Sequence, residues 1–262
     1  MVEEAIALLR RPGETGRCAH QSDLAKALLN LSTVLGRLGR HAEAVASARE
    51  AVEIQHEPAM DDPDRYLLDY THATTNFALV LSRAGCHDEA TTVAQEAVMR
   101  YRRMLDYGPD DVQPWLPVAL TNLGVVLTEQ NRHEEAVPFM TEAVERYRDL
   151  VGTDESYRAK FGESLYNLSI GLAAIGDRDS ALKVNEAAIL EFRQAAHTDP
   201  GYLHMVATAL ETRSLLLSEM GRPDDAAGYE ADAAELRGTL RLLLSEADNP
   251  DEVVPPRTSG SG

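Results

Sequence analysis

The sequence predicts an all-α fold, an α-solenoid of stacked antiparallel helix pairs. Three observations support this prediction: a repeat of 45 or 46 residues, two helical patterns within each repeat, and a short turn between the two patterns. Self-similarity at a period of about 20 to 50 residues is typical of stacked repeats rather than of one globular core. Because a single helix pair cannot bury its apolar stripe, about five such repeats are expected to stack on one another.

The repeat is defined by columns of equivalent residues. The first helix of each unit carries the pair Asn30-Leu31, Asn76-Phe77, Asn122-Leu123, Asn167-Leu168 or Thr212-Arg213, at successive steps of 46, 46, 45 and 45 residues. A turn residue follows at Gly39, Gly85, Asn131, Gly176 and Gly221. The second helix carries alanine, whose small side chain lets paired helices approach closely, at Ala51, Ala97, Ala143, Ala188 and Ala233.

The third unit illustrates how each element follows from its residues. Apolar residues recur in its first helix at three- and four-residue steps, the pattern of an amphipathic helix, at Val118, Leu120, Leu123, Val126 and Leu127. Asn131 suits the left-handed backbone conformation that ends a helix, as glycine does in the other units. His133-Glu134-Glu135 then opens a second helix, where acidic residues favour the positive N-terminal end.

The unit from Leu120 through Asn131 to Val144 resembles a tetratricopeptide repeat, and it is most similar to the long kinesin-light-chain-like repeats common in actinobacterial proteins. The resemblance covers residues 24–237. It implies a right-handed superhelix whose concave wall is formed by the first helix of each unit and holds peptides. The fifth unit departs from the pattern, with Arg213 where Leu or Phe is expected and Gly228 inside its second helix.

The ends of the array divide the chain into three segments. Glu4-Ala5-Ile6 lies 46 residues before Glu50-Ala51-Val52, so residues 1–23 are interpreted as the second helix of a truncated repeat plus a loop. Either the chain is a piece of a longer protein, which we favour, or this lone helix is an N-terminal cap. Residues 24–247 form the five-repeat array, and its last helix runs from Pro223 to about Ala247. Residues 248–262 have the composition of a disordered tail or linker.

Composition limits the classes of function. The formal charge of −18 argues against nucleic acid as a partner, and the acidic residues either attract basic partners or simply solvate the outer helix faces. No stretch approaches the roughly 18 apolar residues that a membrane span needs. Cys18 and Cys86 suggest no disulfide framework, which favours a reducing, cytoplasmic compartment. The scarcity of lysine beside arginine and abundant alanine is typical of a GC-rich bacterial genome.

The candidate ligand-binding site is a column of asparagines that the resemblance places on the concave wall: Asn30, Asn76, Asn122 and Asn167. A side-chain amide both donates and accepts hydrogen bonds, so a column of amides could clamp the backbone of an extended peptide. Alternatively, each asparagine bonds a neighbouring helix and only holds the superhelix together. The sequence leaves these two interpretations equally open.

Two further features accompany the asparagine column. The first is an apolar strip one helical turn after the asparagines. It consists of Leu79, Val125, Ile170 and Leu215, with Thr33 in the first unit. The strip is either exposed, and then contributes affinity for a ligand, or part of the core. Basic residues lie in the first two units, at Lys26, Arg37, His72 and Arg83, and acidic residues in the last three, at Glu129, Glu163, Glu211 and Glu219. This distribution predicts a groove with a basic N-terminal half and an acidic C-terminal half that would orient a peptide.

No catalytic centre, metal site or cofactor is predicted. His41, His87 and His133 occupy one column, and stacked helices separate such residues by about 8–10 Å, too far to share a zinc ion. The expected function is a non-catalytic protein–protein interaction scaffold that binds a peptide or partner segment in the concave groove, as part of a larger bacterial protein. The alternative is a sensor or self-association module of a multidomain regulatory protein, linked to a signalling NTPase or a protease, that self-associates through the N-terminal half repeat.

Overall fold

The computed structural model describes residues 17–107 and 112–248, with side chains described over 21–107 and 112–241. The described residues form ten α-helices. These are α1 (Arg17–Arg37), α2 (His41–Asp61), α3 (Pro63–Arg83), α4 (His87–Tyr107), α5 (Trp115–Glu129), α6 (His133–Thr153), α7 (Arg158–Ala174), α8 (Arg178–Thr198), α9 (Leu203–Glu219) and α10 (Pro223–Asp248). Short 3-10 turns, Glu155–Tyr157 and Pro200–Tyr202, precede α7 and α9.

Consecutive helices pack against one another along the whole described array. Each first helix packs on the second helix of its own unit and on that of the preceding unit, so α5 lies between α4 and α6. The first helices also pack side by side, α1 on α3, α3 on α5 and α5 on α7. This is the arrangement of an α-solenoid, and the predicted all-α fold is confirmed.

The turn inside each unit has the same geometry. Its central residue has a positive φ in all five units: 73° at Gly39, 80° at Gly85, 59° at Asn131, 87° at Gly176 and 74° at Gly221. The next amide then donates back to the first helix, as from Arg132 to the carbonyl of Leu127 at 2.9 Å. These bonds satisfy the helix end within two or three residues, which holds the paired helices antiparallel and close together.

The core lies between the helices, where the described buried residues form one large cluster within Ala78–Ala233 and three smaller ones. The alanine column of the second helices is fully or almost fully buried, at Ala51, Ala97, Ala143, Ala188 and Ala233. One turn later the second helices of the middle units bury an aromatic ring, at Tyr101, Tyr147 and Phe192. Small and large side chains therefore alternate along the second helices of the middle units and fill the space between successive units.

The structure explains why the fifth unit has Arg213 where Leu or Phe is expected. The Arg213 guanidinium donates to the backbone carbonyl of Leu182 at 2.8 Å and lies 4.9 Å from the ring centroid of Tyr229. Glu186 accepts a further hydrogen bond from it at 3.3 Å. Arginine can replace an apolar residue here because its stem packs while its charged end bonds the preceding unit.

The described helices extend to both limits of the described region, α1 from Arg17 and α10 as far as Asp248. The array boundaries expected at residues 24 and 247 therefore stay predictions. The half repeat before α1 and the tail after residue 248 lie outside the described residues, so the interpretations of these segments stay predictions.

Candidate functional site

The asparagine column lies at the surface of successive first helices. Asn30 on α1 and Asn76 on α3 are exposed, whereas Asn122 on α5 and Asn167 on α7 are half-buried. None of the four side-chain amides makes a hydrogen bond to another described residue. The interpretation that these amides bond neighbouring helices is therefore not supported within the described part of the chain, and their donors and acceptors face solvent.

Hydroxyl groups beside the column connect neighbouring first helices instead. The hydroxyls of Thr121 on α5 and Ser164 on α7 are 3.0 Å apart. The Tyr166 hydroxyl on α7 lies 3.1 Å from that of Thr212, which occupies the asparagine position in α9. The first helices are thus in direct side-chain contact, while the amides between them remain unengaged.

The apolar strip is partly buried and partly exposed to solvent. Its members Leu79, Val125 and Ile170 are half-buried, Leu215 is 59% exposed, and Thr33 is exposed in the first unit. Leu79 packs against a buried cluster that includes Phe77 and Leu81. The strip is therefore neither fully core nor fully exposed, because its side chains contact the core and still present apolar area to solvent.

The basic residues predicted for the N-terminal half differ in their surroundings. Lys26 lies 3.8 Å from a carboxylate oxygen of Asp69, which also accepts a hydrogen bond from Ser22. Arg37 and Arg83 are exposed and make no ion pair with another described residue. The unpaired positive charge of this half therefore resides on the two arginines, which occupy equivalent positions in the last turns of α1 and α3.

The acidic residues predicted for the C-terminal half are each engaged by a neighbour. Cations pair with three of them, Lys160 with Glu163 at 2.7 Å, Arg178 with Glu219 at 3.4 Å and Arg237 with Glu211 at 2.9 Å. The hydrogen bond from Arg237 lowers the pKa of Glu211, and Glu129 accepts a hydrogen bond from Ser82. Because these cations offset the acids, the wall lacks the strong negative half that the acidic column alone suggests.

Trp115 is a feature of this wall that the sequence reasoning missed. It begins α5, is 37% exposed, and its ring centroid lies 3.8 Å from that of His72 on α3. Burial lowers the pKa of His72, Asp69 opposes that shift, and Lys26 reinforces it. His72 thus belongs to an aromatic contact with Trp115, and its lowered pKa disfavours the charged form that a basic patch requires. The sequence offered one signal for this contact. Trp115, the single tryptophan, lies three residues before Val118, which is the equivalent of His72 in the third unit.

The described residues contain neither a metal-binding cluster nor a membrane-spanning helix. No group of three or more His, Cys, Asp or Glu side chains among them could hold a metal ion. None of their helices combines the length and apolar character that crossing a membrane requires. Cys86 is exposed as a free thiol in the turn before α4.

Two family models, both described as tetratricopeptide repeat, match the sequence, one over residues 24–57 and the other over residues 70–149. These matches identify tetratricopeptide repeats within residues 24–57 and 70–149, and the stacked helix pairs and left-handed turns continue the same arrangement along the described array. No functionally curated protein matches the sequence.

Several solved structures are similar to this one. BtubC (BKLC) from P. vanneervenii is 18% identical with a TM-score of 0.73, over 100% of this chain and 94% of BtubC. A putative kinesin light chain with nearly identical TPR-like repeats from Podosopora anserina is 14% identical with a TM-score of 0.64, over 85% of this chain and 98% of that one. A Rap protein in complex with Competence and Sporulation Factor is 14% identical with a TM-score of 0.66, over 90% of this chain and 57% of that one. At these identities the likeness establishes a common fold.

Proposed function

We propose that this chain is a non-catalytic scaffold that binds a peptide or an extended segment of a partner protein along the wall formed by its first helices. The observation that carries the proposal is the asparagine column, whose amides are accessible and form no hydrogen bonds with other described residues. Amides without a partner inside the fold do not tie the helices together, so their donors and acceptors remain available to a ligand. Unpaired amides at a regular spacing suit a ligand that offers backbone N–H and C=O groups at regular intervals.

The surroundings of the column add affinity and orientation. The half-exposed strip offers apolar area that a ligand side chain can cover, which contributes up to about 1.5–3 kcal/mol for a fully buried side chain. The unpaired Arg37 and Arg83 favour an acidic group of the ligand near the C-terminal ends of α1 and α3. A similar Rap protein was solved in complex with Competence and Sporulation Factor, which is a precedent for ligand binding by this fold.

The test uses peptides selected on the unmodified protein from a random displayed library. We expect the double variant Asn76→Ala/Asn122→Ala to bind them at least about ten-fold more weakly, because each lost hydrogen bond contributes about 0.5–1.5 kcal/mol. Its thermal midpoint should not fall, because neither amide bonds a described residue and alanine has the higher helix propensity. The control is Gln95→Ala, which removes an exposed amide from the second helix α4. Equal affinity of the double variant and the control would remove the asparagine column from the site.

A second candidate function is a self-association module of a larger regulatory protein. It is favoured by Val34 and Leu38 on α1, which are 44% and 66% exposed. The equivalents of Val34 in later units are half-buried at Val80 and buried at Val126 and Leu216. An apolar flank of this kind can pair with another surface of the same type. Light scattering over a range of concentrations tests this candidate: Leu38→Glu should abolish any concentration-dependent rise in mass, and a mass that stays monomeric throughout excludes it.

A further inference from the structure

The spacing of the asparagine column restricts the conformation of its ligand. Neighbouring first helices touch directly, through the hydroxyls of Thr121 and Ser164 at 3.0 Å and the rings of His72 and Trp115 at 3.8 Å between centroids. Helices in such contact have axes about 8–10 Å apart. Equivalent amides on neighbouring first helices therefore recur at about that interval.

This interval distinguishes between the regular conformations of a bound segment. A β-strand presents the same face at every second residue, about 6.6–6.8 Å, which is shorter than the interval. An α-helix bonds its own backbone groups and has none to offer to amides along its length. A polyproline II helix presents the same face at every third residue, about 9.3 Å, and leaves its backbone groups unbonded. The polyproline II conformation is the one that matches both the spacing and the chemistry of the column.

The apolar strip adds a second element with the same period. Leu79, Val125 and Ile170 each lie three residues after an asparagine, which places them about 4.5 Å further along the helix axis. A ligand whose carbonyls meet the amides can thus rest a side chain of the same turn on the strip. The first unit has Thr33 at the strip position and the fifth has Thr212 at the amide position, so both elements coincide on α3, α5 and α7.

We propose that the ligand is a proline-rich segment in the polyproline II conformation, with apolar side chains at three positions spaced three residues apart, bound across α3, α5 and α7. The proposal rests on the proposed function and specifies its ligand class. Three contacts at this spacing span about seven residues. Proline favours the conformation because its ring fixes φ, so less conformational freedom is lost on binding, and its carbonyl remains available to the amides.

The experiment compares two fluorescent peptides of identical, proline-rich composition. Each contains three leucines, which lie three residues apart in one peptide and two residues apart in the other, with prolines at the remaining positions; circular dichroism verifies that both form polyproline II helices. We expect fluorescence anisotropy to give at least about ten-fold tighter binding for the three-residue period. Quenching or a shift of the emission of Trp115, the single tryptophan, reports binding beside α5 independently of the label.

Two variants test whether the preference for the three-residue period depends on the wall formed by the first helices. Asn122→Ala removes the central amide and Val125→Asp places a charge on the central strip position, and both should reduce the preference for the three-residue period to less than about three-fold. Met99→Asp, on the 51% exposed side chain of Met99 in α4, is the matched control and should retain the preference. Asn122→Ala removes no bond to a described residue, so its result stands even if Val125→Asp unfolds the chain.

The outcomes separate this inference from the proposed function. If the two peptides bind equally, or if the two-residue period binds more tightly, the polyproline II inference is wrong. If neither designed peptide binds while library-selected peptides bind and lose affinity with Asn76→Ala/Asn122→Ala, the inference fails and the peptide-binding scaffold stands. If neither designed nor selected peptides bind, both are overturned.

Discussion

At Gly162 the backbone of α7 lies against the ring of Phe192 in α8. A Cβ atom at this position would lie 2.9 Å from two ring carbons of Phe192, whose side chain is completely buried. We expect Gly162→Ala to lower the thermal midpoint followed by circular dichroism. Overpacking costs about 1–3 kcal/mol, whereas the higher helix propensity of alanine returns at most about 1 kcal/mol.

The matched control for this substitution is Gly228→Ala in α10. Nothing lies within 4 Å of a Cβ atom at Gly228, so only the helix propensity changes and the midpoint should rise, by an effect of about 0.5–1 kcal/mol. A Gly162→Ala variant that melts at or above the unmodified protein would mean that the contact between α7 and α8 is looser than the structure indicates.

Individual residues also show which features of the candidate site the sequence predicts and which it does not. The period of 45 or 46 residues assigned Asn76, Asn122 and Asn167 to one column, because a fixed repeat length fixes the register of every helix. It did not reveal whether their amides are engaged, since that depends on distances across helices that the period leaves undetermined. The cations that offset Glu211 and Glu219 were missed for the same reason, because Arg237 and Arg178 lie on second helices outside the acidic columns.

At the scale of single elements, local chemistry determined the helix ends. The turn residue after each first helix has the left-handed conformation that glycine and asparagine tolerate best, so the sequence predicted these ends closely. Sequence patterns thus fix an element boundary where a special backbone conformation is required.

The last helix differs from its equivalents in the flank that faces a following unit. In α6, Val137 and Met140 lie so close to α7 that a Cβ atom on Gly171 would be 3.3 Å and 3.2 Å from them. The equivalent positions in α10 are Ala227 and Glu230, and both are exposed. A small side chain and a charged one replace the apolar pair, so this flank of α10 is suited to solvent rather than to stacking.

For the whole molecule, the two ends of the described array therefore differ in character. The N-terminal flank of α1 exposes Val34 and Leu38, whereas the C-terminal flank of α10 is polar. Two copies placed head to tail would bring an apolar flank against a polar one, at the cost of desolvating Glu230. The polar end thus opposes open-ended stacking of identical chains, since a head-to-tail contact that does not close leads to filaments.

Making the C-terminal flank apolar tests this role of the polar end. The triple variant Ala227→Val, Glu230→Met and Ala234→Val gives α10 the residue types found at the equivalent positions of α6. We expect its mass, measured by light scattering, to rise with concentration well above that of the unmodified chain, because each copy then offers one flank to the exposed Val34 and Leu38 of the next.

The control is Glu53→Met with Glu145→Met, at exposed positions whose equivalent in the second unit is the exposed Met99. The mass of this control variant should match that of the unmodified chain. If the triple variant behaves like this control, the flank of α10 has no part in limiting assembly, and added apolar area alone does not make the array stack.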